Sequence, residues 1–198
     1  MKTMNFLVVG VGGQGALLAS NVLAEVGVRS GFDVKKAEVH GMSQRGGSVN
    51  SHVRWGEDVK SPTIATGDVD VLFSLEKLES LRYISMLQRE GIVLVGESII
   101  PPLTVSSGED SYPSDEEITQ VFAQVTDNFH FVPTQTLAKE AGTARAHNVV
   151  LIGALSSFID DVPEEIWLEV IADRVPKKFV EINQNAFRAG RGLGNLAY

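Results

Sequence analysis

The sequence predicts an α/β fold of the Rossmann-like type, in which a mostly parallel sheet is flanked by helices and followed by a C-terminal helical segment. Apolar runs typical of buried strands alternate along the chain with segments of helical periodicity. The first of these runs leads directly into a glycine-rich turn and then into a helical pattern, as in many nucleotide-binding folds. The last part of the chain, residues 163–189, has the pattern of two helices.

The first half of the chain is predicted to build much of the sheet. An apolar strand at Phe6–Val9 is followed by a helix at Ala16–Val28, which Gly31 ends, and by a second strand at Phe32–Val39. A strand, a helix and a strand in this order are the unit of a parallel sheet. Residues 49–55 alternate between apolar and polar side chains, and this pattern predicts an additional strand.

The middle of the chain is predicted to add two buried strands, at Val69–Phe73 and Ile92–Val95. A helix from about Leu75 to Leu87 is expected between them, and Gly91 is expected to stop it. Residues 101–113 are rich in Pro, Ser, Gly and Asp, so we expect a surface excursion without regular structure there.

The remaining elements are mostly helical. The pattern that follows Ser114 predicts a helix with a capping box, and a short strand is expected at Phe129–Val132. A helix is predicted at Thr134–Ala141, and Val149–Phe158 is apolar on most sides, as in a buried helix. Residues 190–194 are rich in glycine, and we expect them to form a flexible tail.

The composition is that of an ordinary globular protein, with 43% hydrophobic and 21% charged residues. A length of 198 residues suits a single domain, so we expect residues 1–198 to form one. No run of about 20 apolar residues is present to span a bilayer, and no signal-peptide core is evident. These features predict a cytoplasmic protein without membrane contact. The net charge of −8 argues against nucleic-acid binding, which depends on Lys and Arg.

The chain contains no cysteine. It can therefore form no disulfide, no cysteine-ligated iron–sulfur cluster and no thiolate zinc site. The four histidines are scattered, and no two have the i, i+4 spacing of a helical zinc motif. We therefore predict no metal site in this chain.

The glycine-rich turn after the first strand is the main candidate for a binding site. Gly10 permits a tight turn, Gly12 allows a phosphate to approach the backbone, and Gly15 allows a helix to pack closely on a strand. The backbone N–H groups of Gly13, Gln14 and the helix start are available to an anion. The alternative interpretation is a glycine-rich connection that binds no ligand.

A dinucleotide is the first ligand that such a turn suggests, which would make the chain a free-standing NAD(P)-dependent dehydrogenase. That hypothesis expects an acidic residue about 20 residues after the motif, to bind the ribose hydroxyls. Lys35 and Lys36 lie near the expected place, and Glu38 follows slightly late. The dehydrogenase therefore stays an alternative with an imperfect fit.

The loop after the second predicted strand is a second candidate for anion binding. Ser43, Gln44 and Arg45 offer hydroxyl, amide and guanidinium donors, and Gly46 and Gly47 follow them. In a parallel sheet this loop lies at the carboxyl ends of the strands, where ligands bind. A solvated turn whose arginine pairs with a nearby carboxylate is the alternative. No nucleophile and base can be assembled from the sequence, so no catalytic residue is predicted.

These segments also carry a resemblance to a known family. Residues 10–15 read Gly-Val-Gly-Gly-Gln-Gly, and residues 38–49 read Glu-Val-His-Gly-Met-Ser-Gln-Arg-Gly-Gly-Ser-Val. With the later segments at residues 144–150 and 176–183, they make the chain similar to the gamma subunit or domain of 2-oxoacid:ferredoxin oxidoreductases. The free-standing length and the Ser61-Pro62 pair most resemble the beta, or small, subunit of the indolepyruvate enzymes of that family.

The resemblance implies oxidative decarboxylation of a 2-oxoacid, such as an arylpyruvate, to an acyl-coenzyme A. It further implies that thiamine diphosphate and [4Fe-4S] clusters lie on a larger partner subunit, which reduces ferredoxin, and that this chain is inactive alone. The absence of cysteine agrees with clusters held elsewhere. The glycine turn and the Ser43–Gly47 loop would contact coenzyme A or the thiamine-bearing subunit. A non-catalytic interaction module built on a nucleotide-binding fold is a further alternative.

Overall fold

The computed structural model describes residues 3–40 and 47–194 of the chain. Within them, six strands form one sheet in the order β2-β3-β1-β4-β5-β6. The strands are β1 (Met4–Val11), β2 (Asp33–His40), β3 (Ser48–Gly56), β4 (Val69–Ser74), β5 (Leu87–Gly96) and β6 (Phe129–Val132). Each strand that the sequence predicts is present, and most extend beyond the predicted bounds.

Helices pack on both faces of this sheet, which confirms the α/β fold. The helices are α1 (Ala16–Arg29), α2 (Lys77–Tyr83), α3 (Leu103–Ser106), α4 (Asp115–Phe122), α5 (Thr134–Glu140), α6 (His147–Ser156), α7 (Glu164–Arg174) and α8 (Val180–Arg191). One core cluster joins the sheet to α1 and the C-terminal helices α6, α7 and α8, and a second joins the other face to α4. The C-terminal part is thus the helical segment that the sequence predicts.

The strand directions explain why the sheet is only mostly parallel. Strands β1, β4, β5 and β6 are parallel neighbours, whereas β3 runs antiparallel between β1 and β2. The sequence predicts that β1, α1 and β2 form a parallel strand–helix–strand unit, in which β1 and β2 are neighbours. This prediction is wrong, because β3 lies between the two strands. Strand β3 follows β2 after a short connection, which permits antiparallel pairing, and it takes the place beside β1. Strand β2 still points in the same direction as β1.

Trp55 on β3 shows how the helical layer is held against the sheet. Its ring centroid lies 4.7 Å from that of Phe6 and 5.5 Å from that of Phe32. Helix α1 approaches so closely that a Cβ on Gly27 would lie 2.5 Å from the Trp55 Nε1 atom. Any larger residue at position 27 would therefore push α1 away from the sheet.

The helix expected from Leu75 to Leu87 is shorter in the structure. Helix α2 ends at Tyr83, a 3₁₀ turn follows at Ile84–Met86, and β5 begins at Leu87. The prediction that Gly91 stops this helix is wrong, because Gly91 lies inside β5. A Cβ on Gly91 would lie 2.8 Å from Leu87 Cδ1, so the glycine serves close packing. Ile84 and Leu87, which lie beyond the end of α2, are buried in the core cluster on this face of the sheet.

The expectation of a flexible tail from residue 190 is wrong for Gly190 and Arg191, which belong to α8, and a turn follows at residues 192–194. Gly190 belongs to α8, and a Cβ there would lie 1.9 Å from the Val150 carbonyl oxygen of α6. Gly153 on α6 approaches α8 equally closely, because a Cβ there would lie 2.0 Å from the Phe187 carbonyl oxygen. The two glycines let α6 and α8 cross with their backbones in contact, and such a crossing leaves no room for larger residues.

Residues 101–113 form a surface segment in which only the four-residue α3 is helical. Tyr112 ties this segment to the start of α2, because its hydroxyl donates a hydrogen bond of 2.5 Å to Oε1 of the buried Glu76. The capping box of Ser114 and Glu117 at the start of α4 is present as predicted. In the part of the chain that the structure describes, no helix combines the length and apolar character needed to cross a membrane.

Candidate functional site

The glycine turn at residues 10–15 and Gly47, the last residue of the loop after the second predicted strand, meet at the carboxyl edge of the sheet. The backbone N–H of Gly12 donates a hydrogen bond of 2.8 Å to the carbonyl oxygen of Gly47. Just beyond this contact, Val11 at the end of β1 pairs with Ser48 at the start of β3. The structure therefore brings Gly47 next to the turn, as expected. The predicted residues Ser43, Gln44, Arg45 and Gly46 lie outside the described residues.

Gln14 holds the turn in shape. Its side chain is 7% exposed, its Oε1 accepts a hydrogen bond of 2.8 Å from the Val11 N–H, and its Nε2 donates one of 3.0 Å to the Leu75 carbonyl oxygen. Leu75 directly follows β4, so Gln14 joins the ends of two neighbouring strands. These two bonds fix the position of the amide, so Gln14 holds the turn in shape.

The glycines of the turn have different structural roles. Gly13 and Gly15 have φ angles of +106° and +85°, a region that favours glycine. Gly15 precedes the first residue of α1, and its carbonyl oxygen accepts a hydrogen bond of 3.2 Å from Asn148 Nδ2. A Cβ on Gly15 would lie 2.3 Å from that nitrogen. The close packing predicted for Gly15 therefore involves the side chain of Asn148 on α6. At Gly10, a Cβ would lie 3.0 Å from Gln14 Oε1.

Gly13 lines three cavities that the described residues form around the turn. The first, of 560 Å³, extends toward residues 97–100 after β5. The second, of 510 Å³, extends toward residues 144–148 before and at the start of α6. The third, of 410 Å³, lies between the first turn of α1 and the start of β3. Volumes of this size are typical of small-molecule sites.

His147 and Gln135 face the first two cavities, and the site predictions did not include them. The Nδ1 atom of His147 is buried and has no hydrogen-bond partner among the described residues. Burial lowers the pKa of His147, which favours the neutral ring. Periodicity and spacing do not indicate these residues, because α5 and α6 reach the turn only through the tertiary fold. The segment at residues 144–150 was singled out only by its resemblance to the family.

A partly buried polar cluster, in which the Glu79 carboxylate is buried, supports the start of β3. The Ser48 hydroxyl donates a hydrogen bond to the Glu79 carboxylate, and Asn50 Nδ2 donates one of 2.9 Å to the Tyr83 hydroxyl. Burial raises the pKa of Glu79, and the hydrogen bond from Ser48 and the charge of Arg82 oppose this effect. The cluster connects α2 to the strand that follows Gly47, and so it positions that side of the turn.

The position of Glu38 weighs against binding of a dinucleotide in the usual manner. Because β3 lies between β1 and β2, the end of β2 is about two strand spacings, roughly 10 Å, from the end of β1. A ribose bound at the turn would need an acidic side chain on a directly neighbouring strand. The Glu38 carboxylate instead forms an ion pair with Lys36.

The start of α1 gives the site a feature that suits the binding of an anion. Among residues 3–40 and 47–194, no group of three or more His, Asp or Glu side chains has an arrangement that could hold a metal ion. Helix α1 begins at the turn without a side-chain cap or an acidic residue in its first turn. The partial positive charge of this helix end is therefore available to an anion at the turn.

Comparison with known proteins gives consistent results. The family described as pyruvate ferredoxin/flavodoxin oxidoreductase matches residues 5–193. The indolepyruvate oxidoreductase subunit IorB of Thermococcus kodakarensis is 43% identical over 192 residues, which cover 96% of this chain and 95% of that protein. The subunit of the same name from Archaeoglobus fulgidus is 39% identical, with 94% and 93% covered. The 2-oxoglutarate synthase subunit KorC of Methanothermobacter thermautotrophicus is 28% identical, with 94% of this chain and 92% of that protein covered.

Solved structures share the fold at lower identity. The gamma subunit of a keto/oxoacid ferredoxin oxidoreductase from Geobacter sulfurreducens superposes with a TM-score of 0.71 at 24% identity, covering 98% of this chain and 99% of that one. The pyruvate oxidoreductase subunit PORC of Thermotoga maritima gives 0.73 at 22% identity, with 97% of each chain covered. A 2-oxoglutarate:ferredoxin oxidoreductase from Magnetococcus marinus, with 2-oxoglutarate, coenzyme A and succinyl-CoA bound, gives 0.75 at 21% identity. This chain covers 32% of the length of that protein.

Proposed function

Because the chain belongs to the pyruvate ferredoxin/flavodoxin oxidoreductase family, we propose that it is the small subunit of an indolepyruvate-type 2-oxoacid oxidoreductase. Similarity to indolepyruvate oxidoreductase subunits along nearly the whole chain carries this proposal. In the proposed reaction, an arylpyruvate and coenzyme A give an arylacetyl-coenzyme A and carbon dioxide. Two electrons pass through the complex to ferredoxin.

The larger partner subunit supplies the redox groups in this proposal. Iron–sulfur clusters need cysteine ligands, and this chain has none, so the [4Fe-4S] clusters belong to the partner. Thiamine diphosphate supplies the carbanion chemistry when bound, and we place it on the partner as well. The described residues of this chain bind and orient, and none is assigned a proton-transfer step.

We assign coenzyme A contact to the edge of the sheet that carries the turn. Gly13, the uncapped start of α1 and the adjoining cavities favour a phosphorylated ligand. The predicted site residues Gly10, Gly12, Gln14 and Gly15 form the frame of this site, and Ser43–Gly47 would border it. Residues 1–198 are proposed to act as one gamma-type domain in a cytoplasmic complex.

Reconstitution with the larger subunit tests the proposal. The chain alone, the larger subunit alone and the two combined are assayed for reduction of a viologen dye with indolepyruvate and coenzyme A. We expect dye reduction to depend on both subunits and on coenzyme A, with arylacetyl-coenzyme A as product. Turnover by this chain alone would contradict the assignment as an accessory subunit. Turnover by the larger subunit at the full rate without this chain would contradict it as well.

A further inference from the structure

The segment between β5 and α4, residues 97–113, exposes a group of apolar side chains. Ile99 and Ile100 are 53% and 38% exposed, and Leu103, the first residue of α3, is 86% exposed. The three lie within five positions of one another. The other large apolar side chains that the described residues expose are spread over α1, β2 and the turn before α8. A group of exposed apolar side chains on a globular protein indicates a surface that another molecule covers.

A buried carboxylate fixes this segment to the body of the protein. Glu76, which is 1% exposed, caps the start of α2 and also accepts hydrogen bonds from both ends of the segment. Its Oε1 atom accepts one of 3.0 Å from the Ile100 N–H and one of 2.5 Å from the Tyr112 hydroxyl. The Lys77 N–H donates a third, of 3.2 Å, to the Ser98 carbonyl oxygen. The apolar side chains therefore stand on a fixed backbone, which lowers the entropic cost of binding a partner.

Acidic side chains flank this apolar group. Residues 97–117 contain no Lys or Arg and six acidic residues, all of them exposed. Two of these, Glu109 and Asp110, lie next to α3, because their backbone N–H groups donate hydrogen bonds of 3.0 and 3.1 Å to the Thr104 carbonyl oxygen. Glu97 lies two positions before Ile99. Such a surface complements a partner whose apolar contact is rimmed by Lys and Arg.

The charge and the position of this surface indicate which partner covers it. In a symmetric pair of copies of this chain the same surface would face itself, and the carboxylates of the two copies would repel each other. Ile99 and Ile100 also line the cavity of 560 Å³ next to the glycine turn. Under the proposed function the larger subunit brings its thiamine to this edge of the sheet, so it must approach the chain beside this segment.

We infer that the larger subunit of the proposed complex binds this segment through an apolar contact that basic side chains surround. The residues of this docking surface are Ile99, Ile100, Leu103, Glu109 and Asp110. The inference rests on the proposed function and adds where the subunits meet and which chemistry joins them. Leu103 is the central contact, because it is the most exposed of the three apolar residues and begins the helix to which Glu109 and Asp110 return.

Assembly of the full chain with the purified larger subunit tests the apolar contact. The dissociation constant is measured by calorimetry, and circular dichroism verifies that each variant is folded. We expect Leu103→Ser to weaken assembly about tenfold, because the side chain is buried only in the complex. Val28→Ser is the matched control, since Val28 is 57% exposed on the last turn of α1, and it should leave assembly unchanged.

Charge reversal tests the acidic side chains. Glu109→Lys combined with Asp110→Lys should weaken assembly about tenfold or more at low salt and much less at high salt. The control combines Asp160→Lys with Asp161→Lys, which reverses a second adjacent and exposed acidic pair after α6. We expect it to leave assembly nearly unchanged. Equal effects of the two double variants would show that only the net charge matters, and the inference would be overturned.

The remaining outcomes separate this inference from the proposed function. If Leu103→Ser or the reversed pair at Glu109 and Asp110 leaves assembly unchanged, the inference is overturned, because it requires both contacts, while dye reduction by the combined subunits still supports the proposed function. If Leu103→Ser disrupts pairs of this chain in light scattering but leaves binding of the larger subunit unchanged, the surface joins two copies and the inference is overturned. If the unaltered chain neither binds the larger subunit nor adds to its activity, the proposed function itself fails, and the inference fails with it.

Discussion

The backbone N–H of Gly12 donates a hydrogen bond of 2.8 Å to the carbonyl oxygen of Gly47. This bond ties the turn after β1 to the residue just before β3, and so it joins two segments that are 35 positions apart in the sequence. It also occupies the Gly12 N–H, and the N–H of Gln14, predicted from the sequence to be available to an anion, donates a hydrogen bond of 3.1 Å to the Val11 carbonyl oxygen. The groups left for a ligand are therefore the backbone at Gly13 and the first turn of α1.

Gly13 is the position where a side chain can be added at the turn without a clash, since a Cβ there meets no atom of the described residues within 4 Å. The φ of +106° strains any side chain, and Asp and Asn share this strain, so a comparison of the two isolates the charge. We expect Gly13→Asp to raise the KM for coenzyme A about tenfold or more, because its carboxylate repels phosphates. Gly13→Asn, which has the same shape without the charge, should have a much smaller effect.

Gly31 provides the matched control for this charge. It has a similar φ of +86°, equally open space and a position at the far end of α1. Gly31→Asp adds the same charge away from the turn, and we expect an unchanged KM for coenzyme A. Equal effects of Gly13→Asp and Gly13→Asn would show that shape matters and charge does not. That outcome would count against a phosphate at the turn.

Gln14 should matter for stability as well as for the shape of the site. Gln14→Leu leaves the Val11 N–H and the Leu75 carbonyl oxygen without partners in a buried place. We expect this change to lower the free energy of unfolding by about 2–4 kcal/mol, measured by urea denaturation. The same substitution at the exposed Gln120 on α4 should change it by less than about 0.5 kcal/mol. A loss at Gln14 no larger than that at Gln120 would contradict the role given to its amide.

Local patterns predict what depends on neighbouring residues, and tertiary contacts decide the rest. The capping box at Ser114 and the strand at Phe129–Val132 follow from short-range chemistry, and both were predicted correctly. The place of β3 between β1 and β2 depends on a choice of strand partner that alternation alone does not encode. His147 is likewise a candidate only because the tertiary fold places the start of α6 beside the turn. Its sequence neighbours show no pattern that indicates a ligand.

Glu79, in the polar cluster at the start of β3, should make the free energy of unfolding depend on pH. Burial raises the folded-state pKa of Glu79 above its ordinary value of 4.5. The folded protein therefore holds this proton at pH values where the unfolded chain has lost it. Stability contributed by the protonated form is fully present below about pH 4.5 and is lost as the pH rises through the raised pKa. Glu79→Gln keeps the shape of the side chain but removes the titration.

We therefore expect Glu79→Gln to gain stability relative to the unaltered chain as the pH rises from 4.5 to 8, measured by urea denaturation at several pH values. Glu116→Gln, which changes an exposed carboxylate on α4, should show no such trend. If the difference between Glu79→Gln and the unaltered chain stays constant over this range, Glu79 does not titrate with a raised pKa. In that case the ion pair of 3.1 Å with Arg82 would lower the pKa of Glu79 by at least as much as burial raises it. The Ser48 hydroxyl would then donate its hydrogen bond to a carboxylate that is ionised over the whole pH range.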